Sequence, residues 1–118
     1  MMPLIKHLVI RLGQCKNIPS PDSLENILSQ TANDMNDSPF LEPYKGVPNF
    51  YLEDSRLNGF KAVFFAGSTT ILFQSWPELK LVLADIFCER DYNPYLGFYF
   101  LRKILQSKDA TSKLMERS

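Results

Sequence analysis

The order of hydrophobic patterns along this chain predicts an α+β fold, a two-layer sandwich of an antiparallel sheet with two helices on one face. Three observations carry that expectation. An alternating stretch from Leu4 to Leu12 precedes a segment with helical spacing. A run of strand-like segments then fills residues 49–88, and a second helical segment follows Pro94. At 118 residues the chain is one domain with room for a single core. That domain is expected to span residues 1–107, with 108–118 a polar C-terminal tail that frays.

In the first strand, Leu4, Lys6, Leu8 and Ile10 alternate against Ile5, His7, Val9 and Arg11, and Gly13 ends the pattern. Pro19-Ser20-Pro21-Asp22 is a turn and a helix start. Ser20 or Asp22 can accept from free backbone N–H groups, and Pro21 suits the first helical turn. Leu24, Ile27, Leu28 and Thr31 follow the helical period until about Asn33. Asn36 to Pro48 carries Pro39, Pro43 and Pro48 and reads as a connecting loop. Asn49–Leu52, Phe60–Ala66 and Thr69–Trp76 are strand candidates, the last stopped by Pro77, which lacks an amide donor. Lys80–Cys88 is a further strand, apolar on both faces apart from Asp85. A turn at Asp91-Tyr92-Asn93-Pro94 starts the last helix, whose face includes Tyr95, Phe98, Tyr99, Leu101 and Leu105. Two helices cover only one sheet face, so a second copy of the chain is expected to cover the other, making a homo-oligomer.

Bulk properties exclude several function classes. The chain is 45% hydrophobic and 22% charged, with a formal net charge of zero, so no basic field exists to attract nucleic acid or anionic lipid. Its longest apolar runs, such as Ala62-Val63-Phe64-Phe65-Ala66, are far too short for a membrane span. Met1 to His7 lacks the apolar core of a signal peptide. Cys15 and Cys88 stand far apart with no C-x-x-C spacing and read as buried free thiols of a cytoplasmic protein. His7 is the single histidine, so neither a metal cluster nor a Ser-His-Asp arrangement can be built on further histidines. His7 is expected to be a satisfied core or edge residue. Asp85 needs donors if buried, and a structural hydrogen bond or subunit contact is its expected role.

The segment Gly67-Ser68-Thr69-Thr70-Ile71-Leu72-Phe73-Gln74-Ser75-Trp76-Pro77-Glu78, followed by Leu83-Ala84-Asp85-Ile86-Phe87-Cys88, resembles a known active-site region. The resemblance is to the small bacterial and archaeal S-adenosylmethionine decarboxylases, which make a pyruvoyl cofactor from one of their own serines. In that family the pattern runs Glu-Ser-His, then a His, Thr-Trp-Pro-Glu, and later Asp-(Leu/Val)-Phe-Thr-Cys. Anchored on Trp76-Pro77-Glu78, the resemblance puts Ser68 at the family's glutamate and Thr69 at its self-cleaving serine. Thr70 falls at the next histidine, Gln74 at the processing histidine and Glu89 at the catalytic cysteine. Ile5-Lys6-His7-Leu8-Val9 with Cys15, Leu57-Asn58-Gly59, and Asn93-Pro94-Tyr95 also match in order. The family's last strand has no expected counterpart, because the tail is too polar.

The residues at the required positions do not suit the family's reaction. A serine hydroxyl must attack the preceding carbonyl, and the ester must then eliminate to a pyruvoyl group that serves as electron sink. A methyl on Thr69 crowds that attack, and Gln74 is neither acid nor base near neutral pH. Glu89 donates a proton only if burial raises its pKa. Ser68 and Cys88 each lie one residue from the family's serine and cysteine positions, and a one-residue shift in a strand turns a side chain to the other face. No pyruvoyl cofactor and no metal are therefore expected.

The resemblance also implies a ligand site. Glu78 matches a glutamate associated with the substrate's ribose, and Trp76 adjoins it; the alternative for Glu78 is a solvated charge past a strand end. Phe50 and Tyr51 lie where the family has aromatics near its adenine, and ordinary strand packing is their alternative. Three functions follow. One is a non-processing homologue that binds S-adenosylmethionine or a related nucleoside, or partners an active decarboxylase. Another is a lyase releasing methylthioadenosine and homoserine lactone, with Glu78 and Glu89 as carboxylates to test. The third is a decarboxylase of polyamine synthesis with a shifted site at Ser68 or Thr69.

Overall fold

The structure, a computed structural model, describes residues 5–35 and 49–117. The expected loop at Asn36–Pro48 and the strand start at Leu4 lie outside the described residues. The elements are β1 (Ile5–Cys15), α1 (Pro21–Asp34), β2 (Phe50–Asp54), β3 (Phe60–Ala66), β4 (Thr69–Trp76), β5 (Leu81–Glu89), α2 (Pro94–Leu105) and β6 (Ser107–Arg117). A 3-10 turn at Pro77–Leu79 joins β4 to β5. The strands form one antiparallel sheet in the order β2-β3-β4-β5-β1-β6, and both helices pack on the same face. The α+β sandwich expected from the hydrophobic patterning is thus the architecture observed.

Strict alternation sorts the side chains between the two faces. Leu8, Ile10 and Leu12 of β1, Ile71 and Phe73 of β4, and Val82, Ala84 and Ile86 of β5 face the helices and are buried. Leu24, Leu28 and Ala32 of α1 and Phe98, Leu101 and Leu105 of α2 close over them. Gly97 lets α2 approach: a Cβ there would lie 3.0 Å from Ile86 Cδ1, Met35 Sδ and Thr31 Cγ2. The α2 start is capped by Asn93, whose side chain accepts from the Tyr95 amide at 3.0 Å. Ser20 occupies the α1 N-cap, but neither expected side-chain cap forms there. Its Oγ turns to Ser23 Oγ at 3.3 Å instead.

Two expectations are overturned, the first being that Gly13 ends the opening strand, since β1 continues through it to Cys15. The polar segment after Lys108 does not fray; it is β6, paired along β1 from Ser107↔Cys15 to Arg117↔Ile5. β1 would otherwise present an unpaired edge, and β6 satisfies its backbone groups. Ala110 and Leu114 pack on the core from the helix side, and Ser107 Oγ donates to the Gly13 carbonyl at 2.6 Å. The remaining polar residues suit an outermost strand. The folded unit therefore runs through β6 and does not stop at residue 107, and the family's last strand has its counterpart after all.

The sheet face opposite the helices is open. Tyr51, Val63, Leu72, Asp85 and Val9 form one row across it, and Lys61, Gln74, Leu83 and Arg11 form the next. Phe65 is 41% exposed, Val9 and Leu83 38% each, and Leu72 36%, which is a large apolar content for a solvated face.

Candidate functional site

Strand β4 carries most of the motif and distributes it between its two sides. Thr69 faces the helix layer and is 1% exposed, together with Ile71, Phe73 and Ser75. Thr70, Leu72, Gln74 and Trp76 face the open side. Thr69 and Gln74, the positions matched to the self-cleaving serine and its processing histidine, thus project from opposite faces of one strand.

The register with β5 regroups the remaining candidates. Thr70 pairs with Phe87, so the next position outward sets Thr69 beside Cys88, and Ser68 has already left the strand for the hairpin turn. Cys88 is buried on the helix side with Thr69. Ser68 and Glu89 are exposed at the sheet end, Ser68 in the turn whose Gly67 takes the left-handed φ of 59°.

Two of the ligand-binding candidates, Trp76 and Glu78, stand at the other end of β4, whereas Phe50 and Tyr51 lie on β2 level with Ile71 and Leu72. Trp76 closes the strand, and Pro77 begins the 3-10 turn that carries Glu78. The Glu78 carboxylate is exposed, and Oε1 accepts from Asn58 Nδ2 at 2.9 Å. Gly59 is obligatory in this corner, since a Cβ would meet the Ser75 carbonyl oxygen at 1.9 Å. From Thr69 to Trp76 the strand runs roughly 23 Å at about 3.3 Å per residue. One adenosyl ligand in one chain cannot touch both ends. Phe50 packs against the core from the helix side, whereas Tyr51 is exposed on the open side, edge-on to Phe65 at 6.4 Å between ring centroids. These two aromatics therefore do not share a pocket.

Between the ends, the open face holds a polar group that the sequence does not reveal. His7 and Asp85, 78 residues apart, meet with Nε2 and Oδ1 2.8 Å apart. The imidazole stacks on Phe87 with centroids 4.0 Å apart and planes 18° apart, which fixes its orientation. Asp85 also lines a cavity of about 270 Å³ with Lys61, Val63, Leu72, Gln74 and Leu83. A second hollow of about 390 Å³ continues over Lys61, Val63, Tyr51 and Glu53. Both are shallow, and both lie on the open face. Among the described residues no cluster of three or more His, Cys, Asp or Glu side chains could hold a metal ion, and no helix is long and apolar enough to cross a membrane.

A family model for S-adenosylmethionine decarboxylase matches residues 6–118. The chain belongs to the S-adenosylmethionine decarboxylase family. Its fold is similar to the crystal structure of the adenosylmethionine decarboxylase from Aquifex aeolicus vf5, with a TM-score of 0.78 and 17% identity. That likeness covers 100% of this chain and 93% of the other. No curated protein matches the chain in sequence. The family match reaches past residue 107, in agreement with β6 as an integral strand of this S-adenosylmethionine decarboxylase homologue.

The sequence offers His7 and Asp85 only as structural residues, the hydrogen bond expected of Asp85 being the one to His7, and it does not single out Lys61. Asp85 did carry a signal, as the single charge inside an apolar strand. His7 and Lys61 become visible only when the register brings them to the same face.

Proposed function

We propose that this chain is a member of its family that stays a single uncleaved polypeptide and binds S-adenosylmethionine or a related nucleoside on its open sheet face. The observation that carries this reading is the nucleophile position. By the motif resemblance it holds a threonine, buried against the helix layer, while Gln74 projects from the opposite face and is neither acid nor base near neutral pH. The residues present do not suit formation of a pyruvoyl group, and no step is routed through one. Glu78 and Trp76 are the proposed ribose end of the site, and Tyr51, in the Leu72 row two strands away, is too distant to stack on the base of the same ligand.

The open face is also the proposed homo-oligomer surface, because exposed Val9, Phe65, Leu72 and Leu83 gain from leaving water. A two-fold axis running across the strands sets the Glu78 end of one copy against the Thr69 end of its partner. The two halves of the motif, too far apart within one chain, then meet.

The test is incubation of the purified chain with S-adenosylmethionine, followed by calorimetry and product chromatography. Saturable binding with the ligand returned intact supports the proposal. Methylthioadenosine with homoserine lactone makes the protein a lyase instead. Decarboxylated S-adenosylmethionine makes it an active decarboxylase of polyamine synthesis. Absence of binding removes the nucleoside reading altogether. Sedimentation velocity tests the assembly, with a dimer expected and a monomer at high concentration counting against the covered face.

A further inference from the structure

Resting on the reading that the open face takes an adenosyl ligand, we infer that Lys61, Gln74 and Asp85 form a clamp for a free α-amino-acid group. The ammonium of Lys61 would hold the ligand's carboxylate, and the carboxylate of Asp85 would hold its α-ammonium.

The register puts all three side chains on one side of the sheet. Lys61 of β3 is directly opposite Gln74 of β4, and Gln74 is opposite Leu83 of β5, two residues from Asp85. Directly paired positions have Cβ atoms about 5 Å apart, and diagonal ones about 7–8 Å. A cation and an anion are thus held two strands apart with an amide between them. Their cavity is floored by Leu72, Leu83 and Val63. Opposite charges at that separation across an apolar floor match a zwitterion better than an ion of either sign.

Each charge is presented rather than consumed. Lys61 is exposed and joins no ion pair among the described residues, although Glu53 stands opposite it on β2. Asp85 engages His7 through Oδ1, and His7 is itself stacked on Phe87. His7 is therefore a positioning residue that fixes the carboxylate before a ligand arrives, which lowers the ordering cost of binding. Gln74 offers an amide oxygen toward the ammonium and an amide N–H toward the carboxylate.

The ordering along β4 fits as well. Trp76 and Glu78 stand at the proposed ribose end, with Gln74 two residues inward and Leu72 two further. The amino-acid arm of an adenosyl ligand leads in that direction. An ammonium held as a cation by Asp85 is also withheld from nucleophilic attack on a carbonyl, which accords with a site that makes no Schiff base.

Calorimetric titration of the full chain with three ligands separates the contributions. S-adenosylmethionine carries both groups of the arm, decarboxylated S-adenosylmethionine keeps only the amine, and methylthioadenosine lacks the arm. Lys61→Met is expected to weaken S-adenosylmethionine by about tenfold, the scale of a hydrogen bond to a charged group, and to leave the other two unchanged. Asp85→Asn is expected to weaken both amine-bearing ligands and leave methylthioadenosine unchanged. Lys61 is exposed, so its variant keeps the test valid even if Asp85→Asn folds poorly. Binding of all three ligands at unaltered affinity in Lys61→Met overturns the clamp alone, as does equal weakening of all three. Failure of the unaltered chain to bind any of them overturns the nucleoside reading and the clamp with it.

Discussion

Replacing His7 by Phe tests whether the His7–Asp85 contact is an energetic feature of the open face. The substitution keeps a ring to stack on Phe87 and removes the nitrogen that meets Asp85 at 2.8 Å. A hydrogen bond to a charged group contributes about 1.5–3 kcal/mol when desolvated. Here the side chains are 15% and 33% exposed, so water recovers part of the loss on the carboxylate side. About 1 kcal/mol is then expected for His7→Phe, and His7→Ala adds the lost stack, about 0.5–1.5 kcal/mol more. Asp85→Val alone should also cost stability, since it leaves the imidazole nitrogen without its acceptor. The double variant His7→Phe with Asp85→Val replaces both partners by apolar groups and should cost about 1 kcal/mol less than the sum of the singles. Urea unfolding followed by circular dichroism measures all four corners of the cycle. Additive costs, with no coupling beyond error, would refute the reasoning.

Other outcomes follow from the packing. Gly97→Ala should destabilise by about 1 kcal/mol, because three side chains 3.0 Å from the new methyl must yield despite the gain in helix propensity. In an Ile86→Val background, which removes one of those three contacts, the cost should shrink measurably in the same urea assay. Deleting residues 107–118 should leave a chain that is unfolded or aggregates, read by circular dichroism and light scattering, because β1 loses its partner along that edge. The Cys15 thiol, 2% exposed, is held above its ordinary pKa of 9.0 by burial, an effect that a hydrogen bond with Ser107 partly offsets. The unfolded thiol therefore releases its proton first. Its contribution to stability is complete below about pH 9 and is lost as pH rises through the folded value. Chemical denaturation across that range should show a decline that Cys15→Ala reduces, and iodoacetamide should label Cys15 only after unfolding.

Strands with one face on the core could be read from the sequence with accuracy. Phe60–Ala66 and Thr69–Trp76 end where expected, since alternation, Gly67 and Pro77 all point to the same limits. β6 could not be read, because an outermost strand needs few apolar residues. Ala110 and Leu114 are its core contacts, and its pairing with β1 supplies what local propensity does not. The site divides in the same way. Trp76-Pro77-Glu78 is a contiguous signal at a strand end, visible without tertiary information. The His7–Asp85 contact and the Lys61–Gln74 pairing depend on register across β1, β3, β4 and β5, which no local pattern states. Carried one residue past the Thr70↔Phe87 pair, the register sets Thr69 next to the buried Cys88, whereas alignment on Trp76 groups it with Glu89.

Intact mass of the purified, denatured chain is the most direct test of the central claim. A single species with the mass of the full polypeptide and an unmodified Thr69 is predicted. Two fragments separated before Ser68 or Thr69, the second carrying a new pyruvoyl or ketobutyryl terminus, would contradict it.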